Sequence, residues 1–168
     1  MSAVELAPTR SEDVPVLRRL MQLYLYDLAS IDGWHLGEDG AYGTAEGLER
    51  FWTEPDRSSF LLRVDGKLAG FVLVRRGAQT TDDPAAHEVS EFFVLRGYRR
   101  RGVGEWAARQ VFDRFPGPWE VAQMASNTDA QAFWRAVIGR YTGGRFEDFA
   151  WRRAGAEYQV QRFDSRRP

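Results

Sequence analysis

The sequence contains no cysteine and only 2 histidines. The first absence excludes a disulfide, a thiolate nucleophile, thioester chemistry on the protein itself and any cysteine-ligated metal. His35 and His87 stand far apart in loop-like segments and read as solvated side chains, so no metal site is expected. No apolar run approaches the roughly 20 residues of a membrane span, and the start MSAVELAPTR lacks the basic-then-apolar pattern of a secretory leader. A cytoplasmic protein with no membrane partner is expected. A net charge of -1 argues against a general nucleic-acid binder, whose affinity comes from neutralising phosphates. What is present is a chain of 168 residues, 43% hydrophobic and 14% aromatic, enough for one globular domain over residues 1–168 and too short for two ordinary ones.

Periodicity gives an alternating order of elements. VELAPTR reads as a first strand, and Ser11 or Asp13 can cap a helix that places Val14, Leu17, Leu20, Met21, Tyr24, Leu25 and Leu28 on one apolar face. Residues 31–43, rich in glycine and polar groups, read as a loop, with a short helix from Thr44 to Trp52 after it. Asp65-Gly66 supplies the turn of a hairpin between two β-rich runs. EVSEFFVL (a strand), GVGEWAARQVFDRF (a helix) and WEVAQM (a strand) follow so closely that they imply a right-handed parallel crossover. NTDAQAFWRAVIGR is a further helix, and the C-terminal residues read as a hairpin about Gly155.

The chemistry concentrates in EFFVLRGYRRRGVGEWAARQVF, residues 91–112. A strand leading into a glycine-rich loop at a helix start is a natural anion site, because the first N–H groups of the helix are unpaired and glycine lets a phosphate come close. Gly97 and Gly102 have the spacing of a P-loop, but Val103 stands where its lysine should. GVGEWA fits the dinucleotide pattern, yet Arg96 to Arg101 separate it from the strand and no acidic residue ends the next one. A third pattern, Arg-x-x-Gly-x-Gly, is met by Arg99, Gly102 and Gly104.

Here the sequence resembles the GNAT superfamily of N-acetyltransferases, on Val94-Leu95-Arg96-Gly97-Tyr98-Arg99-Arg100-Arg101-Gly102-Val103-Gly104, with Gly97 where proline is usual. The family's second signature appears as Asn127, Ala130, Phe133 and Trp134. The order of elements is similar over nearly the whole chain. The resemblance implies an α/β (α+β) fold, with a mixed sheet of about seven strands splayed between the fourth and fifth and flanked by about four helices. It also implies acetyl-CoA as cosubstrate and direct transfer of its acetyl group to an amine in a ternary complex. The amides from Arg99 to Glu105 would cradle the pyrophosphate, with Arg100 and Arg101 adding charge. Phe93 and Val94 would offer backbone groups to the pantetheine arm, one N–H acting as oxyanion donor.

An amine with a pKa of about 10 must lose a proton before it attacks. Glu91 is the chosen base, with Glu88 the alternative; three apart on a regular strand, they are expected on opposite faces. Glu120 and Gln123 are further candidates. Relatives place a proton-donating tyrosine where Trp134 stands here, and Tyr141 is a possible substitute. A CoA thiol with a pKa of about 8.5 leaves without strong acid help in any case. The acceptor, a small molecule or a peptide amine, would meet Tyr26, Asp27, Asp32, Trp34 and Tyr42, with Tyr24 assigned to the core. A protein of this kind would be a monomer or a homodimer. A CoA-binding module without catalysis is the alternative suggested by Trp134.

Overall fold

The computed structural model describes residues 3–43 and 47–166. Seven strands form one sheet in the order β1-β2-β3-β4-β5-β7-β6: β1 Val4–Pro8, β2 Arg57–Val64, β3 Lys67–Arg76, β4 His87–Val94, β5 Pro118–Met124, β6 Glu147–Arg153 and β7 Ala156–Asp164. Four helices accompany them, α1 Val14–Asp32, α2 Arg50–Thr53, α3 Val103–Arg114 and α4 Thr128–Thr142. The expected helix from Thr44 begins in residues outside the described ones, and only its last part, α2, is seen. The two hairpin turns form where expected: Asp65 and Gly66 take φ of 49° and 74°, Ala154 and Gly155 take 50° and 82°, the paired left-handed conformation that a two-residue hairpin demands.

Every strand pairing is antiparallel except β4 with β5. The α1 stripe lands as its spacing requires, with Leu17, Leu20 and Met21 packed on Leu61, Phe71, Leu73 and Phe93 of one sheet face. The opposite face carries the larger core, where Val72, Val74, Val89, Trp119 and Val121 meet Val111 and Phe112 of α3 and Trp134, Val137 and Ile138 of α4. No helix among the described residues is long and apolar enough to cross a membrane.

One seam of the sheet is open. The parallel β4–β5 ladder consists of His87 opposite Trp119 and Glu88 opposite Glu120, and beyond it the two strands run on without pairing, whereas β5 stays paired to β7 along its whole length from Pro118 to Met124. The gap lies at the C-terminal ends of β4 and β5, where the glycine loop and the start of α4 also arrive.

Candidate active site

The edge of β4 that faces the gap can be read from its bonds on the other side. Leu95 N donates to Ala69 O of β3 at 2.8 Å, and the Phe93 carbonyl lies so close over Gly70 that a Cβ there would come within 1.9 Å of it. Since polar groups alternate along a strand, Phe93 turns its backbone to β3. Val94, and Phe92 one pleat back, present theirs to the gap. Of the pair expected to serve there, only Val94 faces the right way. Its carbonyl accepts from Arg99 Nε at 2.6 Å.

The two glutamates of β4 share a face, contrary to expectation. Leu73 of β3 opposes Glu91, and Val74 opposes Val89, so Ser90 has no counterpart across the ladder. This β-bulge inserts one residue and resets the alternation. Glu88 opposes Arg75 and Glu91 opposes Leu73; Leu73 and Arg75 are two apart on β3, so both carboxylates emerge on the α1 side. Sequence spacing alone gives the wrong answer because a bulge leaves no local signature in SEFFV.

The two then diverge in chemistry. Glu88 is held by Arg75 at 2.7 Å and by the Gln79 amide at 3.2 Å. Glu91 has no ion pair among the described residues. Burial under α1 pushes its pKa up to about 7, the Tyr24 hydroxyl opposes this by donating a hydrogen bond, and the charge of Glu88 adds to the rise. Burial and the neighbouring Glu91 carboxylate push Tyr24 well above the usual phenol range. Tyr24 also packs its ring on Phe71 and Phe93, 5.9 and 5.6 Å between centroids. Sequence reasoning read that apolar contact correctly and missed the polar tip. The signal was present in the type of residue, since a tyrosine on a core stripe brings a hydroxyl that needs a partner. A carboxyl poised near neutrality beside a cleft is suited to take a proton from an amine.

Other candidates are drawn elsewhere. Glu120 is buried and bound by Thr80, Thr81 and Arg162, a structural junction. Gln123 points to the α4 side, where its Nε2 bonds Gln161 at 2.8 Å. Tyr141 lies within α4, not in a loop, with its hydroxyl 2.7 Å from Asp113. It is about 21 Å along the helix from Asn127 at roughly 1.5 Å per residue, at the closed end of the seam. The structure does not bring it to Glu91. His87 is no solvated loop residue: it sits in β4 between Phe115 and Trp119, 5.3 and 5.2 Å away, and burial, with Arg76 nearby, lowers its pKa. His35 is exposed.

At the other end of the gap the glycine loop divides its arginines. Arg96 and Arg99 both bind Asp27 of α1, Arg96 at 2.7 Å and Arg99 through its terminal guanidinium nitrogen, and Arg99 lies over the Phe93 ring. Asp27 was expected to meet the acceptor; it instead ties α1 to the loop. Arg100 and Arg101 are exposed and make no ion pair or hydrogen bond among the described residues. Gly102, at φ 78°, starts α3 with no side-chain cap, leaving its first N–H groups open. Val103 is buried beneath the loop, and Glu105 is paired with Arg140 and, second, Arg109, which hold it below the usual carboxylate range. The Arg99 amide is already bonded to Arg96 O, unlike the amides at the open start of α3. Gly104 has a packing reason of its own: a Cβ there would stand 3.2 Å from the Phe133 ring.

The second signature shapes the start of α4. Asn127 caps α4, its Oδ1 accepting from Ala130 N at 3.2 Å, while Phe133 stacks on Phe92 and Trp134 is buried between Phe92 and Phe112. The motif sets the start of α4 beside the gap. On the acceptor side, Tyr26 and Trp34 are exposed, 59% and 42%, and Tyr26 lies against Tyr42, whose backbone is bonded on both sides by Gln22. Asp32 accepts from Ser126, just past β5, at 2.5 Å, and its other oxygen is buried without a partner.

The model of the acetyltransferase (GNAT) family matches residues 23–139. The chain belongs to that family. This GNAT chain has the fold of solved acetyltransferases. It is similar to an acetyltransferase from Thermus thermophilus at 18% identity, with 96% of this chain and 97% of that one covered and a TM-score of 0.69. For yncA from Salmonella typhimurium, solved with its cofactor acetyl-CoA, the figures are 11%, 98%, 95% and 0.69. For the ribosomal-protein-S18-alanine N-acetyltransferase from Escherichia coli they are 13%, 99%, 96% and 0.60. No curated protein sequence matches the chain. At such identities the likeness concerns the GNAT fold, and the site must be argued from its own residues.

Proposed function

We propose that this protein is an N-acetyltransferase that moves the acetyl group of acetyl-CoA directly to an amine held in the same complex. The observation that carries the reading is Glu91, a carboxyl without a cation, at the lip of the unzipped β4–β5 seam. Bound acetyl-CoA supplies an activated acetyl thioester whose pyrophosphate suits the open amides of Arg100 to Glu105 and the free charge of Arg100 and Arg101. Val94 and Phe92 turn the outer edge of β4 to the gap; the Val94 carbonyl is taken by Arg99 Nε, and the remaining backbone groups suit an extended amide-bearing arm that adds as another strand would. A strand N–H aimed at the thioester oxygen stabilises the charge that develops there.

Transfer forms a C–N bond and breaks the C–S bond, so the amine must shed one proton and the thiol must gain one. Glu91 accepts the first, directly or through water, and Tyr24 fixes the carboxylate that does so. Trp134 is sealed in the core and Tyr141 is remote, so the thiolate leaves on its own acidity, with a pKa of about 8.5, and is protonated by solvent. Calorimetric titration with acetyl-CoA, followed by release of free CoA in the presence of amines, tests the reading. Binding together with amine-dependent release that Glu91→Gln abolishes is the expected result. Binding without release from any amine would leave only a CoA-holding module.

A further inference from the structure

The sheet face beyond Glu91 is apolar and carries no helix among the described residues. Registers across β5, β7 and β6 put Ala122, Val160 and Phe149 in one row and Met124, Tyr158 and Trp151 in the next. Because Glu88 opposes Glu120, these rows lie on the same face as the two β4 glutamates. Helix α1 packs over β3 and β4, and α4 covers the opposite face of β5. Val160 is fully buried, while the other five side chains remain partly open, with Trp151 and Tyr158 in ring contact at 5.6 Å. Ile31, seven residues after Tyr24 and so on the same side of α1, adds an apolar group that is 41% exposed.

The charges around this platform are already matched. Arg75 holds Glu88, Arg162 holds both Glu120 and Glu147, and Arg96 and Arg99 hold Asp27. Glu38 and Asp39 lie exposed in the loop after α1. Beside the cleft Glu91 is a carboxylate without an ion pair among the described residues, while Asp32 accepts from Ser126 and its other oxygen is buried. A polyamine or an aminoglycoside needs an anionic partner for each of several ammonium groups, because an unpaired charge is costly to desolvate. An apolar body with a single amine needs one.

Resting on the transferase reading, we infer that the acceptor is a primary monoamine on an apolar, aromatic body, seated on Trp151 and Tyr158 with its nitrogen at Glu91, while Phe149 carries the Arg162 guanidinium over its ring. The rings bind the body and Glu91 performs the deprotonation, so affinity and chemistry reside in different residues.

The test compares phenethylamine, ethanolamine, spermidine and kanamycin as acceptors for the full chain, by free-CoA release and by calorimetry with CoA present. Phenethylamine is expected to exceed the other three in kcat/KM by at least tenfold. Trp151→Ala, on the partly open face of β6, is expected to raise KM for phenethylamine about tenfold while leaving kcat, and both constants for ethanolamine, within about twofold. Preference for spermidine or kanamycin overturns the inference, as does an equal loss on all amines. A dimer that Trp151→Ala dissociates would assign the face to a second copy and overturn it too. Binding of phenethylamine without turnover would retain the platform and reject the transferase reading; turnover of spermidine alone would do the reverse.

Discussion

Replacing Glu91 by glutamine should stabilise the protein at alkaline pH and disable it. Glu91 binds its proton more tightly in the folded chain, with a pKa of about 7 against an ordinary value of 4.5, so its contribution favours folding below pH 4.5 and is lost as pH rises through 7. At about 1.36 kcal/mol per unit, the fully ionised side chain costs the folded state roughly 3 kcal/mol. Glutamine is never charged and still accepts from Tyr24. Thermal unfolding of both proteins should therefore coincide near pH 4.5 and diverge by pH 8, where the variant should melt about 6–12 °C higher for a domain of this size. Over the same range the unmodified enzyme should gain activity as Glu91 ionises near pH 7, and the variant should lose at least a hundredfold in kcat, within the usual yield of a general base. A difference in melting temperature that does not change between pH 4.5 and 8 would refute the burial argument. A variant of full activity would refute the assignment of Glu91 as base.

Further substitutions separate the roles of these residues. Tyr24→Phe removes the donor that opposes the rise in the Glu91 pKa, so the activity limb should move to higher pH, and an unmoved profile would show that the hydroxyl does not reach the working carboxylate. Gly104→Val drives a side chain into the Phe133 ring at the start of α3 and should weaken acetyl-CoA binding at least tenfold by calorimetry. Arg100→Gln, by comparison, removes one exposed charge screened by salt and should cost less than threefold at about 0.15 M salt, and the opposite ranking would make the cluster a charge patch. Asp27→Asn should lower stability by about 1 kcal/mol, given the exposure of its arginine partners. In a double-mutant cycle with Arg99→Met the two effects should fail to add; simple additivity would dissolve the proposed tie between α1 and the loop.

Much of this molecule is local and therefore legible in the chain. The spacing from Leu17 to Leu28, the Asp65-Gly66 and Ala154-Gly155 turns and the Gly102 helix start each follow from the conformational demands of a few neighbouring residues, and the order of elements they define is the order of the fold. The resemblance to the GNAT motifs also points to Gly104 and Asn127, and it favours Glu91 as base with Glu88 as the alternative. The tertiary structure decides what these residues do. An unopposed Ser90 puts Glu88 and Glu91 on one face, because register depends on the partner strand and not on SEFFV itself. Pairing across elements then sorts the charges: Asp27 goes to Arg96 and Arg99, Glu120 to Arg162, and Glu88 to Arg75, which leaves Glu91 as the glutamate of β4 without a cation. Arg96 and Arg99 stand 69 and 72 residues from Asp27, and Arg162 stands 42 from Glu120. Even Arg75 is 13 residues from Glu88, delivered by the return of β3 to β4, so no local window of sequence contains these pairs. A pKa near neutrality is a property of burial and of neighbours, and both exist only once the chain has folded.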